Sequence, residues 1–269
     1  MKSIFTKEQI DFMKENYDKI SYGEIANILG FSERQIRGKI NNMGLSKLRK
    51  INDTYFDSID TPIKSYLLGF IFADGWISYN ENDRRYEFGI ELQSQDRYII
   101  EKINEVLGNK NKIYHKSPKD KIINGIKTRS HDMDGIRIYS KHLVYSLESH
   151  GISKNKSYSD NFPRVNENLF FDFLRGYIDG DGCYYTKNNI VTIHITSGSS
   201  EPLSYIKEKL LTYGIESSVY KEKDHKYRIY INGKNSIKTL LNLLYYKEDL
   251  FYLKRKYNKI QHLITGLAA

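Results

Sequence analysis

The chain has 269 residues, a formal net charge of +9, 23 tyrosines and one cysteine. That length buries a sizeable core in one large or two modest domains, and a basic surface interleaved with Tyr, Lys and Arg suits a polyanion, nucleic acid above all. The lone Cys183 excludes an intrachain disulfide and a cysteine-based zinc site, no apolar run approaches the roughly 18 residues of a membrane span, and Met1-Lys2-Ser3 leads into no signal-peptide core, so an intracellular protein without a membrane partner is expected.

Residues 1–47 read as a small all-α domain of three short helices. Thr6 with Gln9 forms a capping box at the start of the first, which runs to about Asn16. Ser21 with Glu24 opens the second, whose buried face is Ile25, Ala26, Ile28 and Leu29. Gly30-Phe31-Ser32 makes a tight turn, and the third helix spans Glu33 to about Asn42 and stops at Gly44. Helix, Gly-containing turn, helix is the helix-turn-helix arrangement, whose second member lies in the major groove. Ile36 and Ile40 form its core face and leave Arg34, Gln35, Arg37, Lys39 and Asn41 outward. Arg and Lys pair with guanine edges or phosphates, Gln and Asn with adenine; the alternative is a solvated helix of a protein-interaction module. The domain resembles small helix-turn-helix modules appended to phage enzymes. Residues 48–60 lack periodicity and read as a linker, with Lys47, Arg49 and Lys50 able to track a phosphate backbone or minor groove.

Residues 61–269 open with Thr61-Pro62, an N-cap followed by proline in the first turn. The apolar run Leu67-Leu68-Gly69-Phe70-Ile71-Phe72-Ala73-Asp74-Gly75 follows and returns as Leu174-Arg175-Gly176-Tyr177-Ile178-Asp179-Gly180-Asp181-Gly182. Gly69/Ala73 and Gly176/Gly180 are small residues at i and i+4, which let two helix backbones approach closely. Packed side by side, the runs bring Asp74 and Asp181 out together at one end, and two adjacent carboxylates call for a divalent cation.

Each run heads a matching series of elements. In the first half a strand covers Tyr86–Gln93, with Phe88, Ile90 and Leu92 inward and Glu87, Glu91 and Gln93 outward. A helix covers about 96–107, strands about 111–116 and 135–140, and a helix about 141–149. In the second half strands cover 183–187 and 190–197, with Val191, Ile193 and Ile195 inward and Thr192, His194 and Thr196 outward. A helix near 201–213 and strands near 216–222 and 226–232 complete it. The run Gly135–Tyr139 matches Lys226–Tyr230. The fold class is therefore α+β: two α-β-β-α-β-β-α halves, about 61–160 and 161–269, whose sheets side by side form a saddle along a duplex. Glu91, Gln93, Thr192, His194 and Thr196 would read base edges, and the loop 109–131, with Lys110, Lys112, Lys116, Lys119, Lys121, Lys127 and Arg129, would clamp phosphates.

The two motifs and the order of elements after them resemble the LAGLIDADG homing endonucleases of the single-chain kind, over roughly Thr61 to the C-terminus. The resemblance implies a monomer with internal pseudo-twofold symmetry that cuts double-stranded DNA at a long target and leaves staggered 3′ overhangs. It implies metal binding at Asp74 and Asp181 with the adjoining Gly75 and Gly182. Sparse carboxylate ligation suits Mg²⁺, with Mn²⁺ or Ca²⁺ able to occupy the site. It further implies one lysine per half: Lys156, in the run Gly151–Ser157 before Phe162-Pro163, and Lys256 in Tyr252–Tyr257, with Lys254 in reserve. The sixth motif position departs from the pattern, Phe72 against Asp179, so Asp179 reads as helix-capping or solvent-facing and not as a metal ligand. Without the His-Asn end of an intein, an intron-encoded or free-standing enzyme of a bacterial or phage-infected cell is expected. The alternative on the same fold is a cleavage-inactive DNA-binding regulator or an RNA-splicing maturase.

Overall fold

A computed structural model describes residues 4–45, 51–108, 111–123, 125–154, 161–187 and 190–265. The chain divides into two units, Met1–Ile51 and Asn52–Ala269. In the first, α1 (Lys7–Asn16), α2 (Tyr22–Leu29) and α3 (Glu33–Asn42) each start at a complete capping box, Thr6/Gln9, Ser21/Glu24 and Ser32/Gln35. Their core is Phe5, Met13, Ile25, Ala26, Ile36 and Ile40. Ile28, expected on the buried face of the second helix, is 60% exposed. Gly30 takes φ 72°, the left-handed conformation that ends α2 and begins the turn.

The second unit repeats itself. Its first half runs α4 (Pro62–Asp74), β1 (Gly75–Asn80), β2 (Arg85–Gln93), α5 (Arg97–Val106), β3 (Tyr114–Lys116), β4 (Asp120–Ile123), β5 (Ile126–Arg129), β6 (Met133–Ile138) and α6 (Lys141–Ser149). Its second half runs α7 (Phe170–Asp181), β7 (Gly182–Lys187), β8 (Ile190–Ser197), α8 (Glu201–Thr212), β9 (Ser217–Lys223), β10 (Lys226–Ile231), α9 (Lys234–Leu244) and α10 (Lys254–Thr265). Two four-stranded antiparallel sheets result, ordered β1-β2-β6-β3 and β7-β8-β10-β9. The alternation works as expected on the inner faces: Phe88, Ile90, Leu92, Ile136 and Ile138 in one sheet, and Ile193, Ile195, Ile229 and Ile231 in the other, are buried. Helices α5 and α6 pack on the first sheet, α8 and α9 on the second. Within the expected loop 109–131, β4 and β5 pair as a separate hairpin turning through Gly125 at φ 78°.

Two expectations are corrected. Residues 51–60 are not a free linker. Phe56 and Ile59 are buried, the Asn52 N–H donates to the Leu107 carbonyl at 3.1 Å, and the Ser140 hydroxyl donates to Asp53 at 2.7 Å. Residues 48–50 lie outside the described residues. The match of Gly135–Tyr139 with Lys226–Tyr230 is also slipped. Gly75 faces Ile90 and Gly182 faces Ile195; Ile90 then faces Ile136, and Ile195 faces Ile229. Ile136 is thus equivalent to Ile229, Gly135 to Arg228 and Arg137 to Tyr230. A slip of two residues keeps every side chain on its own face, so the alternation that set the match could not detect it.

Candidate functional site

The centre of the second unit is the crossing of α4 and α7, and its closeness is dictated by glycine. A methyl group on Gly69 would lie 2.0 Å from the Phe173 carbonyl oxygen, and one on Gly176 would lie 2.0 Å from that of Tyr66. A methyl on Gly180 would lie 2.1 Å from the Ala73 Cβ and 3.1 Å from Asp74 Oδ2. The Asp74 carboxylate therefore stands beside the last turn of α7, where Asp181 follows, and both acids are exposed. Gly75 and Gly182 do not end their helices by a left-handed turn. Their φ values are −79° and −82°, and each chain passes straight from helix to strand. Glycine is needed there because a side chain would strike the helix: a methyl on Gly75 would lie 2.9 Å from the Ile71 carbonyl, and one on Gly182 would lie 2.6 Å from that of Ile178.

Two carboxylates at the C-terminal ends of two helices face the negative pole of both macrodipoles. That environment favours a cation, and oxygen donors fit a hard divalent ion. Among the described residues no group of three or more His, Cys, Asp or Glu side chains could hold a metal. An ion on Asp74 and Asp181 would complete its shell with water or phosphate oxygens, as Mg²⁺ and Ca²⁺ readily do. The Gly182 carbonyl is already engaged, since it accepts the Lys256 ammonium at 2.5 Å.

Lys256 is buried in the first turn of α10. Its Nζ also donates to the carbonyls of Ile178 and Gly180, both at 2.9 Å, so all three protons cap the end of α7. Burial pushes its pKa down to about 8, against the opposing pull of Asp179, Asp74 and Asp181. Lys254 points elsewhere: its Nζ lies 4.8 Å from the Tyr98 ring centre and its N–H donates to the Tyr98 hydroxyl at 2.6 Å. Lys156 falls outside the described residues.

Asp179 is fully buried, so the solvent-facing reading is wrong. Its cap serves another helix: Oδ2 accepts the Leu253 N–H, just before α10, at 2.7 Å and the Tyr66 hydroxyl at 2.9 Å. Among the described residues Oδ1 has no hydrogen-bond partner, and burial raises the carboxyl to about 6. Phe72, in the equivalent place, packs instead on the rings of Phe162, Phe173 and Tyr177, at 5.3, 6.2 and 5.1 Å.

The outer sheet faces differ as well. In the first sheet glycines carry aromatic cover: a methyl on Gly89 would lie 2.2 Å from the Trp76 indole, and one on Gly135 would lie 2.5 Å from the Tyr114 hydroxyl. Glu87, expected outward, is buried between Arg85 at 3.2 Å and Arg137 at 3.5 Å. Glu91 accepts from Tyr114 at 3.1 Å and pairs with Lys116, while Gln93 accepts from Gln95 at 2.6 Å. In the second sheet Thr192, His194 and Thr196 are half-buried beside Arg228, which donates to Thr196 at 3.2 Å and Tyr230 at 2.9 Å and pairs with Glu222 at 2.7 Å. Burial, then the charge of Arg228, lowers the His194 pKa. Trp76, Arg137 and Arg228 were missed as face residues; their strand phase, read against Gly75 and Gly182, is the signal that finds them.

In the first unit, Gln35 is committed locally. Its Oε1 accepts the Ser32 N–H at 3.0 Å and the Ser32 hydroxyl at 2.7 Å. Arg37 pairs with Glu33 at 2.5 Å. Arg34 and Asn41 are exposed and Lys39 is half-buried; in and around the hairpin of the second unit Lys112, Lys119, Lys127 and Arg129 are exposed, and Lys110 lies outside the described residues.

Among the described residues no helix is long and apolar enough to cross a membrane. Residues 63–130 match the family described as the WhiA LAGLIDADG-like domain, and residues 170–245 the family described as the LAGLIDADG-like domain. A protein of Methanocaldococcus jannaschii, described as uncharacterized, is 27% identical over 281 residues, spanning 94% of this chain and 95% of its own. The homing endonuclease I-WcaI, solved bound to its DNA recognition sequence, is similar in fold with a TM-score of 0.51 at 15% identity over 74% of this chain and 87% of that one. I-DmoI, solved in complex with DNA and Ca, gives 0.48 at 17% identity over 78% and 99%.

Proposed function

This chain is a two-motif LAGLIDADG protein, and from that premise we propose that it is a monomeric, divalent-metal-dependent endonuclease acting on a long double-stranded DNA target to leave 3′ overhangs. The observation that carries the reading is the crossing of α4 and α7, which sets Asp74 beside the end of the helix that bears Asp181. An ion held there supplies positive charge against the scissile phosphate and its leaving oxygen. The chain's own residues do the rest. Asp74 and Asp181 would hold the cation between them from opposite halves. Lys256 keeps a buried positive charge at the end of α7. The outer sheet faces orient the duplex, with Glu91 and Gln93 in one and Thr192, His194, Thr196 and Arg228 in the other offering groups to base edges. The basic hairpin holds backbone phosphates, and α3 extends the recognised site through Arg34, Lys39 and Asn41.

The test is incubation of the full chain with Mg²⁺ and a pooled library of long duplexes, followed by sequencing of product ends. Mg²⁺-dependent double-strand cuts with 3′ overhangs are expected, slowed about a hundredfold or more by Asp74→Asn and by Asp181→Asn, with duplex binding in Ca²⁺ kept. Cuts that survive both substitutions would overturn the mechanism. A second reading, a DNA-binding regulator without cleavage, draws on the match of the first half to the WhiA-like domain. Tight, sequence-selective duplex binding with no cut product at any metal concentration would select it. Preference for structured intron RNA over duplex would select a splicing maturase.

A further inference from the structure

The turn 251–256 is gripped from both halves of the second unit. Arg175 Nε donates to the Phe251 carbonyl at 3.2 Å, Tyr98 donates to the Tyr252 carbonyl at 3.1 Å, and Arg255 pairs with Asp96 at 2.8 Å. At the centre, Asp179 near the end of α7 accepts the Leu253 N–H that precedes α10, and Lys256 of α10 returns hydrogen bonds to the Ile178 and Gly180 carbonyls of α7 and to that of Gly182 just after it. Each helix end thus supplies a side chain that hydrogen-bonds the backbone of the other.

The first half holds its equivalent turn differently. Asp96 and Glu201 each lie six residues beyond the equivalent strand residues Ile90 and Ile195, so the Arg164–Glu201 pair at 3.4 Å is the counterpart of Arg255–Asp96. Phe162 then corresponds to Leu253, the Phe72–Phe162 ring contact to the Asp179–Leu253 hydrogen bond, and Val165 to Lys256. Burying a carboxylate with one oxygen unpartnered opposes stability, and an aromatic ring fills the same position in the first half. The polar solution occurs on the side where an ammonium has to be held beside Asp74 and Asp181.

We infer that Asp179 is a positioning residue: by anchoring Leu253 it sets the first turn of α10 and thereby holds Lys256 against the end of α7. Its effect on cleavage rests on the endonuclease reading; its effect on α10 does not. The test uses the full-length chain and three variants: Asp179→Leu, which keeps the branching and number of side-chain heavy atoms and removes the acceptor; Asp179→Asn, which keeps an acceptor oxygen; and Asp179→Phe with Tyr66→Phe, which copies the Phe72 and Phe173 pair of the first half and serves as a second acceptor-free variant.

In metal-free protein, amide exchange at residues 253–257 is expected to speed up about tenfold or more in the leucine and the double variant, the effect of one lost charge-assisted hydrogen bond. It is expected to return close to wild type in the asparagine variant. In single-turnover reactions with Mg²⁺ and saturating duplex, the leucine and double variants should cut about tenfold to a hundredfold slower, with Kd for duplex in Ca²⁺ changed less than about threefold, and asparagine should recover most of the rate. Unchanged exchange in both acceptor-free variants would overturn the inference, as would asparagine behaving like leucine. Failure of the wild type to cut any duplex would refute the endonuclease reading instead, and the exchange result would still decide the role of Asp179.

Discussion

The two motif helices are alike where backbone geometry rules and unlike where side chains act. Gly69 and Gly176 occupy reciprocal places, each leaving room for a carbonyl of the other helix at the same 2.0 Å from where a methyl would be. Two positions before each exposed acid the likeness ends. Phe72 joins Phe162, Phe173 and Tyr177 in an aromatic cluster, whereas Asp179 takes hydrogen bonds from Tyr66 and Leu253. The partners change together: Phe173, equivalent to Tyr66, has no hydroxyl because Phe72 has no carboxylate to receive it. The difference teaches that duplication keeps what a tight helix crossing demands and frees the positions that face each half's own closing turn.

The largest effect should come from the shared part. Gly69→Ala and Gly176→Ala each push a methyl into a backbone carbonyl that a flexible side chain cannot vacate, so each should cost about 3 kcal/mol or more in urea unfolding of the second unit. The costs should agree within about 1 kcal/mol, because the obstructing atoms and distances match. A large inequality would break the symmetry argued for the crossing.

What could be read from the sequence follows the same division. Small residues four apart and a terminal Asp-Gly are backbone requirements that leave a residue-type signature, so the crossing, with Asp74 beside the last turn of α7, was legible. The inner faces of the sheets were legible from the alternation of Phe88, Ile90 and Leu92 and of Val191, Ile193 and Ile195, whereas the edge strand β1 and the strand order were not. The partner of Arg137 was not, because a slip of two residues leaves alternation unchanged. The burial of Asp179 was illegible for another reason. A carboxylate in the apolar stripe of a helix looks out of place until the Leu253 N–H, 74 residues away, is seen to meet it. The hairpin at 120–129 was hidden by a basic, loop-like composition whose only turn signal is Asn124-Gly125.

A second experiment separates the halves by pH. The unfolded chain releases the Asp179 proton near the ordinary 3.8, the native chain near 6, because burial disfavours the charged form. Between those values the native state holds more protons, so stability falls as pH rises through the window. Asp179→Asn should flatten that decline, by on the order of 2 kcal/mol across pH 4–6.5 in urea titrations of metal-free protein. Phe72→Leu, at the equivalent site with nothing to titrate, should lower stability by a similar amount at every pH and leave the slope alone. A slope that survives Asp179→Asn would assign it to other groups and remove the electrostatic half of the comparison.

The smallest effect tests the outer sheet faces. Glu87 has a side chain 9% exposed between Arg85 and Arg137, while Glu222 is 25% exposed and shared by Lys226 and Arg228. Removing the charge with Glu87→Gln leaves two guanidiniums over a group cut off from water, so about 1–2 kcal/mol should be lost. Glu222→Gln weakens a wetter network and should cost clearly less than Glu87→Gln. Salt discriminates between them. At about 1 M the screening length falls to roughly 3 Å, which should erase the Glu222 effect and spare most of the Glu87 effect. Urea unfolding of both variants at low and high salt reads this directly, and equal salt sensitivity would mean that the first sheet's carboxylate is as open to solvent as the second's. If the difference holds, Arg137 is held rigidly by a buried anion whereas Arg228 can trade Glu222 for a base edge or phosphate, and the second sheet is the more adaptable reader of the two.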